Sequence, residues 1–157
     1  FVTKRDGLHI ITVQGDMKDL SVFEDESFDL IIHPWSNGFV DTVIPVWNEC
    51  SRVLKKNGIL ISGFANPIEY IFDVGELEKG NLLVKHKIPY SDLEHLDDEA
   101  ISSICKKEGY IFGHTLTDQI QGQINAGLAI LGFYEDIGGT VLDNFIYSSI
   151  ATKAVKL

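Results

Sequence analysis

Residues 10–17, IITVQGDM, and residues 28–37, FDLIIHPWSN, are two apolar runs that each end in a polar turn; a third run, GILISGF, occupies residues 58–64. Short apolar runs predict strands at His9–Val13, Phe28–Ile32 and Ile59–Phe64, the first a near-continuous, β-branched run of the kind seen in strands covered on both faces. Between the second and third runs, Pro45 suits the first turn of a helix. Val43, Val46, Trp47, Cys50, Val53 and Leu54 then recur at three- and four-residue steps, giving one apolar stripe. Asn57-Gly58 is a turn signal that stops the helix before the next strand. A strand–helix–strand unit of this kind is parallel and right-handed. An open α/β sheet binds its ligand outside the carboxyl ends of its strands, so the turns at Gly15–Met17 and His33–Asn37 are the first place to look for a site.

Working outward, Phe1–Gly7 reads as the tail of a helix, with Lys4 and Arg5 in its last turn and Gly7 placed to end it. The sequence opens without an initiator Met, and no glycine-rich loop precedes the first strand. Leu20–Phe28 is acidic and turn-like. Residues 66–114 lose periodicity and are interrupted by Pro67, Gly75, Gly80 and Pro89. They are expected to form an insertion or lid with short strands such as Asn81–Ile88, followed by a short helix over Asp98–Lys107 with Ile101, Ile104 and Cys105 inward. Thr115–Gly127 predicts a helix capped by Thr115, with Leu116, Ile120, Ile124 and Leu128 along its inner side. Leu128–Glu135 and Ser148–Leu157 then form an antiparallel closing hairpin. The whole is read as a single domain over residues 1–157.

The chain has 157 residues, 45% of them hydrophobic, enough for one domain with a substantial core. Thirteen basic and 23 acidic side chains give a formal charge of −10, which repels phosphate backbones and argues against nucleic acid as a partner. The pairs Lys4-Arg5, Lys55-Lys56 and Lys106-Lys107 read as solvated helix ends. Cys50 and Cys105 each lie in an apolar pattern, as buried thiols rather than a disulfide, which points to a reducing, cytoplasmic setting. No apolar run reaches the roughly 18 residues of a membrane span. His9, His86 and His95 lack partners at metal-ligand spacing, and Asp97-Asp98-Glu99 reads as a helix start, so no metal site is expected.

Four segments, GDMKDLSVFEDESFDLI (15–31), VWNECSRVLKKNGILISGF (46–64), TLTDQIQGQINAGLAILGFYED (115–136) and IATKAVK (150–156), together resemble a class I S-adenosylmethionine-dependent methyltransferase of the small-molecule type. The resemblance implies a Rossmann-like α/β sheet, mostly parallel with a C-terminal antiparallel strand, in family strand order 3-2-1-4-5-7-6. The family's strands 1 and 2, its glycine-rich loop and its ribose-binding acid are missing. Ile10–Val13 would then stand apart from Phe28–Ile32 across an empty slot, with unpaired backbone groups that are costly if buried. Three repairs are open: a truncated piece of a longer protein, a homodimer that fills the slot by exchange, or direct pairing of the two strands.

The resemblance further implies S-adenosylmethionine as cofactor and an unidentified small-molecule acceptor. It puts Asp16 at the adenine amino group, Met17 against the ring, and His33, Pro34 and Trp35 along the methionyl and ribose part. The residues themselves suit that reading, because an aromatic face attracts a sulfonium. The alternative for Asp16 is closure of its own turn. For Trp35 it is packing, and for His33 a hydrogen-bonded turn. Ser36, Asn37, Asn66, Tyr70 and Tyr90 are candidates on the acceptor side, each of which could equally be a satisfied polar group. A base is needed only for a protonated acceptor, and His33 and His114 are the candidates. Two rivals stand beside the enzyme: a non-catalytic binding or assembly module of the same fold, and half of a nicotinamide dehydrogenase.

Overall fold

A computed structural model of the chain describes residues 5–96, 101 and 109–157. Its centre is a four-stranded sheet in the order β1-β2-β6-β5, built from β1 (Phe28–Pro34), β2 (Leu54–Ala65), β5 (Leu128–Asp136) and β6 (Ser149–Lys156). β1 and β2 are parallel, with Ile31 opposite Leu60 and His33 opposite Ser62. β6 runs antiparallel to both β2 and β5, which are its neighbours on either side. The sheet is therefore mixed, and its parallel character resides in the β1–β2 pair. A separate two-stranded ladder joins β3 (Tyr90–Ser91) to β4 (Phe112–Gly113) within the expected excursion.

Helix α1 (Ile44–Val53) returns the chain from β1 to β2, with Pro45 in its first turn as its sequence requires. Val43, Val46, Trp47, Cys50 and Leu54 pack on Leu60, Leu128 and Ala154 and form the core. Each such aliphatic side chain taken out of water contributes about 1.5–3 kcal/mol. Burial also pushes the Cys50 thiol up to about 12, so it is an inert apolar group. Asn57-Gly58, expected to stop the helix, lies instead inside β2, since α1 already ends at Val53, and the ladder shifts register there: Phe28 faces Leu54, but Leu30 already faces Ile59.

Three further expectations are corrected. Residues 8–16 form no strand, and Ile10 and Ile11 are 62% and 79% exposed. A strand persists only when a neighbour takes up its N–H and C=O groups, and β1's outer edge does not pair with this segment. The Asn81–Ile88 strand reduces to an isolated bridge between Phe72 and Val84. The third correction concerns the segment after Thr115, where a π-helical turn (Thr117–Gln121) runs into a short helix (Gly122–Asn125). It buries Gln119, Gly122 and Gln123, while Leu116 and Ile124 lie outside. Thr115 does cap it, its hydroxyl accepting from the Asp118 amide. The expected Asp98–Lys107 helix and Cys105 lie outside the described residues.

One face of the sheet is covered by α1 and the 117–125 helical segment. On the opposite face, among the described residues, Leu30, Ile32 and Ile61, which alternate away from the core, are 49%, 65% and 41% exposed.

Candidate functional site

The last rung of the β1–β2 ladder is the Trp35 amide donating to the Gly63 carbonyl at 2.8 Å. The chain then turns sharply, with Trp35 at φ +54°, a left-handed conformation that costs a bulky L-residue about 1–2 kcal/mol. Residues held in such conformations cluster at functional sites. The half-exposed indole lies over Gly63 and, with Tyr134, Asp136, Ile137 and Ala151, walls a depression of about 220 Å³. Ser36 donates weakly to the Pro34 carbonyl at 3.4 Å, and a 3-10 turn over Asn37–Phe39 leads on towards α1.

Asn37 is the knot of this loop. Its side-chain amide donates to Gln119 Oε1 at 2.7 Å, so its carbonyl Oδ1 faces His33 Nε2, 2.6 Å away. Its main-chain carbonyl lies 3.0 Å from His114 Nε2. Gln123 donates to the Gln119 carbonyl and receives the Thr152 hydroxyl at 3.0 Å, extending the chain of contacts to β6. His33, Asn37, His114, Gln119, Gln123 and Thr152 are all buried. Trp47 meets the His33 ring edge-on, with centroids 5.7 Å apart, and burial pushes the His33 imidazole below its ordinary value. Next to this network, Ser62 Oγ is buried without a partner among the described residues. The two histidines expected as bases are thus brought together on one asparagine. Sequence reasoning missed Gln119, Gln123 and Thr152. The four-residue spacing of the glutamines on either side of Gly122 was the available signal.

Asp16 and Met17 reach a different depression, of about 410 Å³, shared with Lys18, Phe39, Val40, Asp41, Leu93 and Phe112. Asp16 closes its own turn, Oδ1 accepting the Lys18 amide at 2.9 Å, and Lys18 is paired with Asp41 at 2.8 Å. The turn alternative therefore holds for one carboxylate oxygen, while Oδ2 takes no hydrogen bond among the described residues. Met17 packs on the core cluster that contains Val40 and Trp47. The expected cofactor set is thus divided: Asp16 and Met17 line one depression, Trp35 lines another, and His33 lies under the loop that runs between them.

The remaining candidates have structural duties. Asn66 caps the 3-10 turn Pro67–Ile71 and donates to the Tyr147 carbonyl. Tyr70 stacks on Tyr90 at 6.1 Å, and burial pushes its phenol up to about 12. Gly113 permits that approach, since a Cβ there would lie 2.6 Å from the Tyr70 ring. Tyr90 donates to Asp92 at 2.8 Å and also meets the rings of His86 and His95. Beyond the end of β2, the Asp143 carboxylate accepts from the Gly138, Gly139 and Thr140 amides and from Ser148, and is held down to about 2 chiefly by Ser148. Glu69 Oε1 is buried nearby without a hydrogen-bond partner among the described residues, and burial pushes that carboxyl up against a smaller opposing pull from Ser148. Among the described residues no group of three or more His, Cys, Asp or Glu could hold a metal ion, and no helix is long and apolar enough to cross a membrane.

The family described as Methyltransferase domain matches residues 2–62. The uncharacterized methyltransferase YbaJ of Bacillus subtilis (strain 168) is 54% identical over 157 residues, covering 99% of this chain; the chain spans 62% of that relative's length. Among solved structures, an S-adenosylmethionine-dependent methyltransferase from Mesorhizobium loti superposes with a TM-score of 0.65 at 14% identity, over 90% of this chain and 67% of its own. Geranyl diphosphate C-methyltransferase from Streptomyces coelicolor A3(2), solved with Mg2+, geranyl diphosphate and S-adenosyl-L-homocysteine, gives 0.61 at 11% identity over 99% and 57%. The resemblance read from the sequence meets similarity to this family model and to the Bacillus relative, and the solved structures bear out the fold: the described architecture is like that of S-adenosylmethionine-dependent methyltransferases.

Proposed function

We propose that the chain takes part in methyl transfer from S-adenosylmethionine to a small-molecule acceptor, as a piece of a longer protein. The observation that carries this reading is the loop 33–41. It leaves the carboxyl end of β1, offers a strained, half-exposed Trp35 on one side, and closes a depression with Asp16 and Met17 on the other. The residues present suit one flank of such a cofactor. Asp16 Oδ2 is open to an amino group, Met17 offers an apolar base, and an indole face attracts a cation by about 0.5–2 kcal/mol. When bound, the cofactor supplies an electrophilic methyl group. The chain's own residues hold and orient: the loop fixes reactants in line, an effect worth up to roughly 7–11 kcal/mol in well-aligned systems.

The bare β1 edge and the exposed Leu30, Ile32 and Ile61 favour a longer protein whose further strands and helices cover them, and the 62% span of the Bacillus relative agrees with that reading. Calorimetry of S-adenosylhomocysteine against the longer protein tests it. Micromolar binding, weakened about tenfold (~1.4 kcal/mol) by Asp16→Ala, is the expected outcome. No binding would instead favour a non-catalytic module.

A further inference from the structure

His33 lies in β1 and His114 just after β4, yet each spends the same ring atom on the same residue. A main-chain carbonyl can only accept, so His114 must carry its proton on Nε2 to bond the Asn37 oxygen. Asn37 Nδ2 is committed to Gln119 Oε1, which leaves its Oδ1 for His33, and His33 must likewise be protonated on Nε2. Gln119 is held in turn where Gln123 ties onto its carbonyl and onto Thr152 of β6. Neither Nδ1 has a hydrogen-bond partner among the described residues. Among the described residues the buried side-chain nitrogens and oxygens without a partner are Ser62 Oγ and Glu69 Oε1, and neither Nδ1 is one of them.

We propose that Asn37 is a positioning residue that locks His33 and His114 in a single tautomer, proton on Nε2, so that the Nδ1 atom of each is kept as a lone pair at the carboxyl end of β1. A lone pair in that place receives an N–H or O–H and repels an oxyanion, which suits a methyl acceptor that still carries its proton. That role rests on the methyl-transfer reading above; the tautomer lock does not. Burial keeps the His33 ring neutral, as a lone pair at Nδ1 requires. Gln119, Gln123 and Thr152 are then the struts of Asn37.

Nitrogen-15 NMR of the full-length protein, recorded without ligand and with S-adenosylhomocysteine, reads the lock directly. The imidazole proton is expected on Nε2 in both histidines, with His33 neutral at pH 7. Asn37→Asp puts a carboxylate against His33 and is expected to raise its titration midpoint by at least about one pH unit. The His114 signals, which depend on the main-chain carbonyl, should stay as they were. A proton on Nδ1 of either histidine in the unaltered protein overturns the proposal without any variant having to fold. So does an Asn37→Asp protein, folded by its melting curve, in which His33 titrates as before. Failure of S-adenosylhomocysteine to bind while both Nε2 protons are seen sinks the methyl-transfer reading and leaves the lock standing.

Discussion

Gly122 shows how one residue settles where a helix sits. A Cβ there would lie 2.7 Å from Trp47 Cδ1 and 3.0 Å from Ile44 Cδ1, both on α1. Alanine would favour the helical backbone by about 1 kcal/mol, but overpacking a buried indole costs about 1–3 kcal/mol. Gly122→Ala is therefore expected to lower the melting temperature, as a thermal melt will show. Trp47 also donates its indole N–H to the Asp118 carbonyl at 3.0 Å, so the clash cannot be relieved by sliding without breaking that bond. His33 and Glu69 make opposite contributions to the pH dependence of stability. The lowered His33 value means that the folded state binds fewer protons there than the unfolded chain. Its stabilisation is complete above the unfolded value of about 6.5 and is lost as pH falls through the window below. Melting temperature between pH 7 and pH 5 should fall less in His33→Gln than in the unaltered protein. The raised Glu69 value has the reverse sign, its stabilisation being present below about 4.3 and lost as pH rises. Glu69→Gln should thus raise the melting temperature at pH 7, with the gain shrinking towards pH 4.

At the scale of elements, the sequence was legible wherever a segment's own pattern agreed with its neighbours. β1, α1, β2 and the β5–β6 hairpin were all readable, because each puts an apolar side on the core around α1, although Leu30, Ile32, Leu131 and Phe133 stay exposed. The 9–13 strand was not, since its apolar run describes what the segment could bury and says nothing about whether a partner strand is there. The 117–125 segment was misread for a different reason. Its inward side is polar, and tertiary partners on Asn37 and Thr152 complete its hydrogen bonds. Arg52 shows the same dependence on distant partners. It holds the acidic 20–26 loop on α1 by donating to Glu49, Asp25 and the Leu20 and Phe23 carbonyls, which no local pattern announced. The exposed face gives a prediction at this scale. Ile32→Lys should leave the melting temperature of the 157-residue chain nearly unchanged while improving its solubility. In the longer protein proposed above, the same change should be destabilising by a few kcal/mol, of the order of an unpaired buried charge.

Across the whole molecule, the proposed cofactor site draws on two depressions, one lined by residues 15–18 with Phe39–Asp41 and the other by Trp35. The histidines, Trp35 and Asp16 were all visible in the sequence as candidates, but their division between two depressions was not, because it depends on which strands stand between them. Backbone hydrogen exchange in the full-length protein, with and without S-adenosylhomocysteine, tests this most directly. Slowed exchange in both 15–18 and 33–41, with little change around Leu82, Leu83 and Phe145, is the predicted result. Protection confined to that second region, or absent from either segment, would contradict the account.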